Sequence, residues 1–283
     1  MSKALIKDGS IVRKPGAFEK RIHEIDFIRG FLIALVLMDH IFCWLWQYNS
    51  SWAESARAAG HSYEFYEALG KAFEFYWYST ARQVVRYFAL FGFTFVSGVS
   101  CAFSKNNWIR AAQMIAFAGI LFVGSNIGNS LFADQLGLDS MRIDFNVIAV
   151  LAWSTLFYCF TQGKTWRSIV VGLLITLLIG WYFLPWLQDY AIHKDSHLYA
   201  PPFIEPSYPQ ADWMPLFPFI SFFFMGALFS YFIYAPTKQS IIKYRGNWER
   251  PLCFMGRHSL IFYVCHQAVL IPFFLLLNLF LGK

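Results

Sequence analysis

The run from Phe27 to Trp46 constrains this chain more than any other stretch, because it has the roughly 20 residues that a helix needs to cross a bilayer core. It is not purely apolar. Asp26 and Arg29 stand at its start, and Asp39 and His40 lie well inside it. An ionisable group at membrane depth costs about 2.5–3.5 kcal/mol on insertion scales, so it faces a cavity or a partner and not lipid. Arg29 and His40 are 11 positions apart, close to three whole turns, which puts them on one face roughly 16 Å apart along the axis. Asp26 is three residues before Arg29, within ion-pair reach on that face. Asp39 and His40 are adjacent and point in different directions, so Asp39 is not expected to orient His40 directly.

Composition agrees. Only 14% of the 283 residues are charged and 57% are hydrophobic, whereas soluble domains carry about 25% charge. The net charge of +6 does not indicate nucleic acid, because the basic residues fall in short segments between apolar runs, the positive-inside pattern. Five widely spaced cysteines offer neither a disulfide framework nor zinc-ligand spacing, so no metal is expected.

The expected fold is all-α, a polytopic membrane bundle of about seven transmembrane helices plus interfacial helices. Residues 1–23 read as a basic cytoplasmic tail, and 24–283 as a single transmembrane domain with its N-terminus inside. Spans are expected at about 27–46, 86–103, 111–129, 145–161, 168–187, 215–234 and 258–281. The aromatic-rich connection 47–82 suits one or two short interfacial helices. Arg82 and Arg86 follow at i, i+4 and either snorkel to headgroups or meet an anionic substrate. Ser97 with Cys101, and Gly98 with Ala102, suit close helix packing. His193 and His197, in a Pro- and Tyr-rich outer loop at 188–214, lack a third metal ligand. No nucleotide-binding glycine motif is present, which argues against a nucleotide-driven pump.

The last span carries a second polar set. Ser259, Tyr263 and His266 fall at i, i+4 and i+7, one stripe of a helix, with Arg257 at its edge and Gly256 allowing close approach. Two edge arginines and two deeper histidines on two helices point to one pathway entered from the cytoplasm. A polar packing seam is the plainer explanation of the same residues.

The opening Glu24-Ile-Asp-Phe-Ile-Arg-Gly30 with His40, the stretch Phe93-Thr-Phe-Val-Ser-Gly-Val-Ser100, Ala211-Asp-Trp-Met-Pro-Leu-Phe-Pro218 and Gly256-Arg-His-Ser-Leu-Ile-Phe-Tyr-Val-Cys-His-Gln267 together resemble the heparan-α-glucosaminide N-acetyltransferase catalytic family, in its bacterial branch. The resemblance runs from about residue 21 to 275. It implies an enzyme of the bacterial inner membrane that moves an acyl group, acetyl above all, from cytosolic acyl-CoA to an amino or hydroxyl group of a sugar or glycan. Arg29 and His40 match the family's first-span arginine and histidine. The sequence departs from the family where a Phe-Gly-x-Leu-His run is common: Asn146 replaces the glycine and Ala149 stands at the histidine position.

His40, supported by His266, is the candidate catalytic group, as general base or nucleophile. Arg29 and Arg257 are candidates for the CoA phosphates, since the guanidinium fork matches phosphate. Asp212, Arg82 and Arg86 are candidates for the acceptor. Asp26, Asp39, Ser259 and Tyr263 are expected to be structural polar groups. The expected partners are the lipid bilayer, acyl-CoA and a sugar or glycan acceptor, not nucleic acid, with homo-oligomerisation left open. The rival reading is a transporter or binding protein for an anionic lipid or small amphiphile, opposed by the absence of an internal repeat.

Overall fold

The computed structural model describes residues 5–7, 10–12, 22–101, 103–104, 106–133, 141–161, 166–186, 212–234, 240–242 and 246–281. The loop histidines His193 and His197, the prolines around them, and Lys105, Lys238, Lys243 and Arg245 lie outside these residues, as does most of the basic tail. Within the tail, Leu5–Lys7 and Ser10–Val12 form a short antiparallel hairpin. The rest is helical: α1 (His23–Ala58), α2 (Glu64–Tyr78), α3 (Thr80–Cys101), α4 (Asn107–Phe132), α5 (Val147–Cys159), α6 (Trp166–Trp186), α7 (Phe219–Ile233), α8 (Arg250–Arg257) and α9 (Ser259–Leu281).

Five of these helices, α1, α3, α4, α6 and α9, are long and apolar enough to cross a membrane. The faces they leave uncovered are rich in large apolar side chains, such as Ile120, Val123, Ile127 and Leu131 on α4 and Val171, Leu174 and Leu178 on α6. Apolar surface of this extent suits lipid and not water. The chain is a helical membrane protein. The fourth and sixth expected spans are shorter than the sequence pattern implies, at 13 residues for α5 and 15 for α7.

The residues cluster into two compact units, with the division inside α3. The first comprises residues 1–92 and 240–283. Its axis is α1, which runs 36 residues and so continues twelve beyond the expected end of the first span. The added turns are helical because they have something to pack on. Asn49 and Trp52 are almost fully buried. The Asn49 carboxamide oxygen accepts from Gly70 N–H at 2.9 Å and its nitrogen donates to the Tyr66 carbonyl at 3.2 Å, which fastens α2 alongside α1. Trp52 Nε1 donates to Asn278 of α9 at 2.9 Å. At the other end of α1 two glycines interlock with α8. A Cβ on Gly30 would strike the Leu252 carbonyl, and one on Gly256 would strike the Asp26 carbonyl. Only glycine permits this backbone-to-backbone contact.

The second unit comprises residues 93–239. Here α5 and α7 are the core, with Val150, Ser154, Phe223 and Ile220 fully or almost fully enclosed. The expected close packing at Gly98 is present. A Cβ on Gly98 would strike the Phe223 carbonyl, and one on Gly226 the Phe95 carbonyl. The shortness of α5 follows from the segment before it, which is irregular and fastened to α4. Asn129 Oδ1 accepts from Met141 N at 2.8 Å, Ser125 Oγ accepts from Ile143 N at 3.0 Å, and Asn126 donates to Asp144 at 3.3 Å. Side chains thus satisfy backbone groups that a helix would have satisfied itself, the condition for irregular backbone at membrane depth. Phe145 carbonyl accepts from Met214 N at 2.9 Å, joining this segment to the stretch before α7.

Candidate active site

Two polar sets lie along the face of α1 within the first unit. At its N-terminal end, Asp26 is buried and accepts from Arg257 Nε of α8 at 3.4 Å. Glu24 is buried as well and accepts from Ser240 Oγ and, at 2.7 Å, from Ile241 N. His23 pairs with Glu249. The interlocked Gly30 and Gly256 hold these groups together, so Arg29 and Arg257 are carried on two helix segments in direct contact. The two arginines expected at one membrane edge are thus brought to one end of the unit.

The second set lies about three turns further along α1. His40 and His266 of α9 face each other with ring centroids 4.8 Å apart and planes at 43°. His40 Nδ1 lies 2.9 Å from Gln267 Nε2, and Gln267 Oε1 accepts from Trp44 Nε1 at 3.4 Å. His266 Nδ1 is bonded to the Tyr263 backbone carbonyl. His266 is buried and His40 half-buried. Ser259 opens α9, and the ring of Tyr263 lies 5.6 Å from that of His266. Gln267 and Trp44 were not singled out in the sequence, although both carried a signal. Trp44 is four residues after His40 on the same helix face, and Gln267 is a carboxamide in an otherwise apolar run.

Asp39 is turned away from His40, as adjacent positions on a helix require. It accepts two bonds from one guanidinium, Arg82 Nε at 2.7 Å and Arg82 Nη2 at 2.9 Å, and a third from Tyr76 Oη at 2.9 Å. Arg82 also lies 3.5 Å over the Trp77 ring, which stacks on Trp46. Burial, and then the Asp39 carboxylate, push the Tyr76 phenol up to about 12, so its O–H donor persists through the physiological range. Arg86, one turn further along α3, is exposed. Asp212 is half-buried, in the stretch before α7 in the second unit. Asn146, at the departure from the family pattern, is a buried N-cap that accepts from Ala149 N at 3.1 Å. The residues that replace the expected glycine and histidine therefore build a helix start.

Apolar spanning helices and an imidazole pair between two of them define a polytopic membrane protein with the equipment for proton transfer. The profile of the heparan-α-glucosaminide N-acetyltransferase catalytic domain matches residues 58–268, about three quarters of the chain. The chain belongs to that family and is a membrane protein of acetyltransferase type. The match takes in Arg82, Asp212, Arg257, His266 and Gln267, while Arg29 and His40 precede it. No curated protein and no solved structure matches the chain.

Proposed function

We propose that the protein transfers an acyl group, acetyl first of all, from cytosolic acyl-CoA to an amino or hydroxyl group of a sugar or glycan at the other face of a bacterial inner membrane. The observation that carries this reading is an imidazole pair seated between two spanning helices in a chain of acetyltransferase family. Imidazole exchanges protons near neutral pH, so the pair can supply a base. Arg29 and Arg257 would hold the CoA phosphates, and the pantetheine arm would run along α1 towards His40, roughly 16 Å away. The acceptor nitrogen or oxygen then bonds to the thioester carbon, loses its proton to the imidazole pair, and the C–S bond breaks as the sulfur takes that proton back. Arg86, in the same unit as the imidazole pair, is assigned to the acceptor. Arg82 is assigned to hold Asp39, since its fork is already engaged there.

Purified protein incubated with radiolabelled acetyl-CoA and a panel of amino sugars tests the reading. Label should move to the sugar. His40→Ala and His266→Ala should each lower the rate by about 100- to 10,000-fold. Acetyl-CoA should still raise the melting temperature of both variants, because the phosphates bind at a distance. Arg29→Ala, Arg257→Ala and added salt should each shrink that rise. Absence of both label transfer and the thermal rise would overturn the assignment.

A further inference from the structure

We propose that Gln267, oriented by Trp44, is a positioning residue that divides the work of the imidazole pair. It makes His40 the hydrogen-bond donor to the thioester oxygen and leaves His266 as the base. The roles rest on the acyl-transfer reading above; the protonation states do not.

The indole Nε1–H of Trp44 can only donate, so the Gln267 atom that faces it at 3.4 Å is the carboxamide oxygen. The other end of the carboxamide is then the NH2, which lies 2.9 Å from His40 Nδ1. An NH2 donates, so Nδ1 accepts and carries no proton. In the neutral ring the proton therefore sits on Nε2. His266 is arranged the other way. Its Nδ1 faces a backbone carbonyl, that of Tyr263, which can only accept, so Nδ1 carries the proton and Nε2 is the lone-pair atom. Two rings 4.8 Å apart thus hold opposite tautomers. At Nε2 one ring carries N–H and the other a lone pair. A carboxylate at Nδ1, as in hydrolase triads, imposes the reverse tautomer and makes the ring a base. A carboxamide nitrogen at Nδ1 makes His40 a donor.

Acyl transfer needs both functions. As the acceptor nitrogen or oxygen bonds to the thioester carbon, its proton passes to His266 Nε2. The negative charge that develops on the carbonyl oxygen meets the Nε2–H of His40, a donor fixed before the reaction begins. Collapse breaks the C–S bond, and the CoA sulfur takes the proton from His266, which returns the pair to its starting state. His40 keeps its proton throughout, so its bond from Gln267 is never broken.

Nitrogen-15 NMR of histidine-labelled protein in nanodiscs reads the tautomers, with the His40 signals assigned by their loss in His40→Gln. The expected result is a pyrrole-type Nε2 and a pyridine-type Nδ1 on His40. Gln267→Glu, whose carboxylate accepts from Nδ1–H, should invert that pattern. It should lower kcat by about 100- to 1,000-fold, the usual effect of losing one oxyanion donor, with little change in the KM for acetyl-CoA. His40→Asn keeps an N–H donor and should exceed His40→Ala in kcat by about tenfold or more, whereas His266→Asn should be as slow as His266→Ala. A protonated Nδ1 on wild-type His40, an unchanged or faster Gln267→Glu enzyme, or a His40→Asn enzyme no better than His40→Ala would each overturn the proposal. The wild-type spectrum involves no substrate, so a wrong tautomer is distinguishable from an absence of acetyl transfer.

Discussion

Asp39 and His40 are neighbours in sequence with separate allegiances: Asp39 binds Arg82 and Tyr76 from one side of α1, and His40 binds Gln267 from the other. The carboxylate accepts three bonds and Arg82 is also stacked on Trp77, so little of this cluster is left to water. Removing one member leaves a charge without its partner. Arg82→Ala should lower stability in detergent towards the roughly 3–5 kcal/mol seen for broken buried pairs, less what partial exposure of Asp39 recovers. The double change Asp39→Asn with Arg82→Gln should cost clearly less than the two single changes added together, as read by thermal unfolding; additive losses would mean that the pair is not coupled. The candidate groups themselves were legible in the sequence, because charge and imidazole stand out in apolar runs. Their partners were not. Spacing places His40 on a face of α1 and His266 on a face of α9, but which faces meet is decided by the contact between helices. Gln267, which decides the protonation of His40, has no charge to draw notice.

At the level of elements, helix positions followed from hydropathy while helix ends did not. The first span was expected to stop near Trp46, where the apolar run weakens, yet α1 continues because Asn49 and Trp52 find hydrogen-bonding partners on α2 and α9. In α5 the apolar pattern exceeds the helix, because polar side chains of α4 bond the backbone of the segment before it. The Gly30–Gly256 contact supplies a test at this scale. Gly256→Ala inserts a methyl group into the backbone of α1 and should destabilise by at least the roughly 1–3 kcal/mol typical of overpacking. Gly119→Ala on α4, where an added Cβ meets nothing, should be neutral or stabilise by up to about 1 kcal/mol. Equal effects in thermal melts would show that α8 does not dock on α1 at these glycines.

For the whole molecule, the helical membrane class and the family were both within reach of the sequence, because bilayer thickness and motif order are one-dimensional properties. Sidedness is carried by the Lys and Arg pattern, which predicts that a cysteine replacing Ser207 in a cysteine-free background is labelled from outside intact cells. One replacing Gln239 should not be. Equal labelling would reverse the direction of donor entry. The length of α1 adds a consequence of its own. Its 36 residues extend about 54 Å, and even a tilt of about 40° leaves a height of roughly 41 Å against a hydrocarbon slab of about 30 Å. Leaning cannot hide the difference. Whichever way the chain is inserted, at least about two and a half turns of α1 must stand clear of the oily layer like a mast above a deck, so the helix that bears His40 is also a rigid post reaching into the headgroups or beyond.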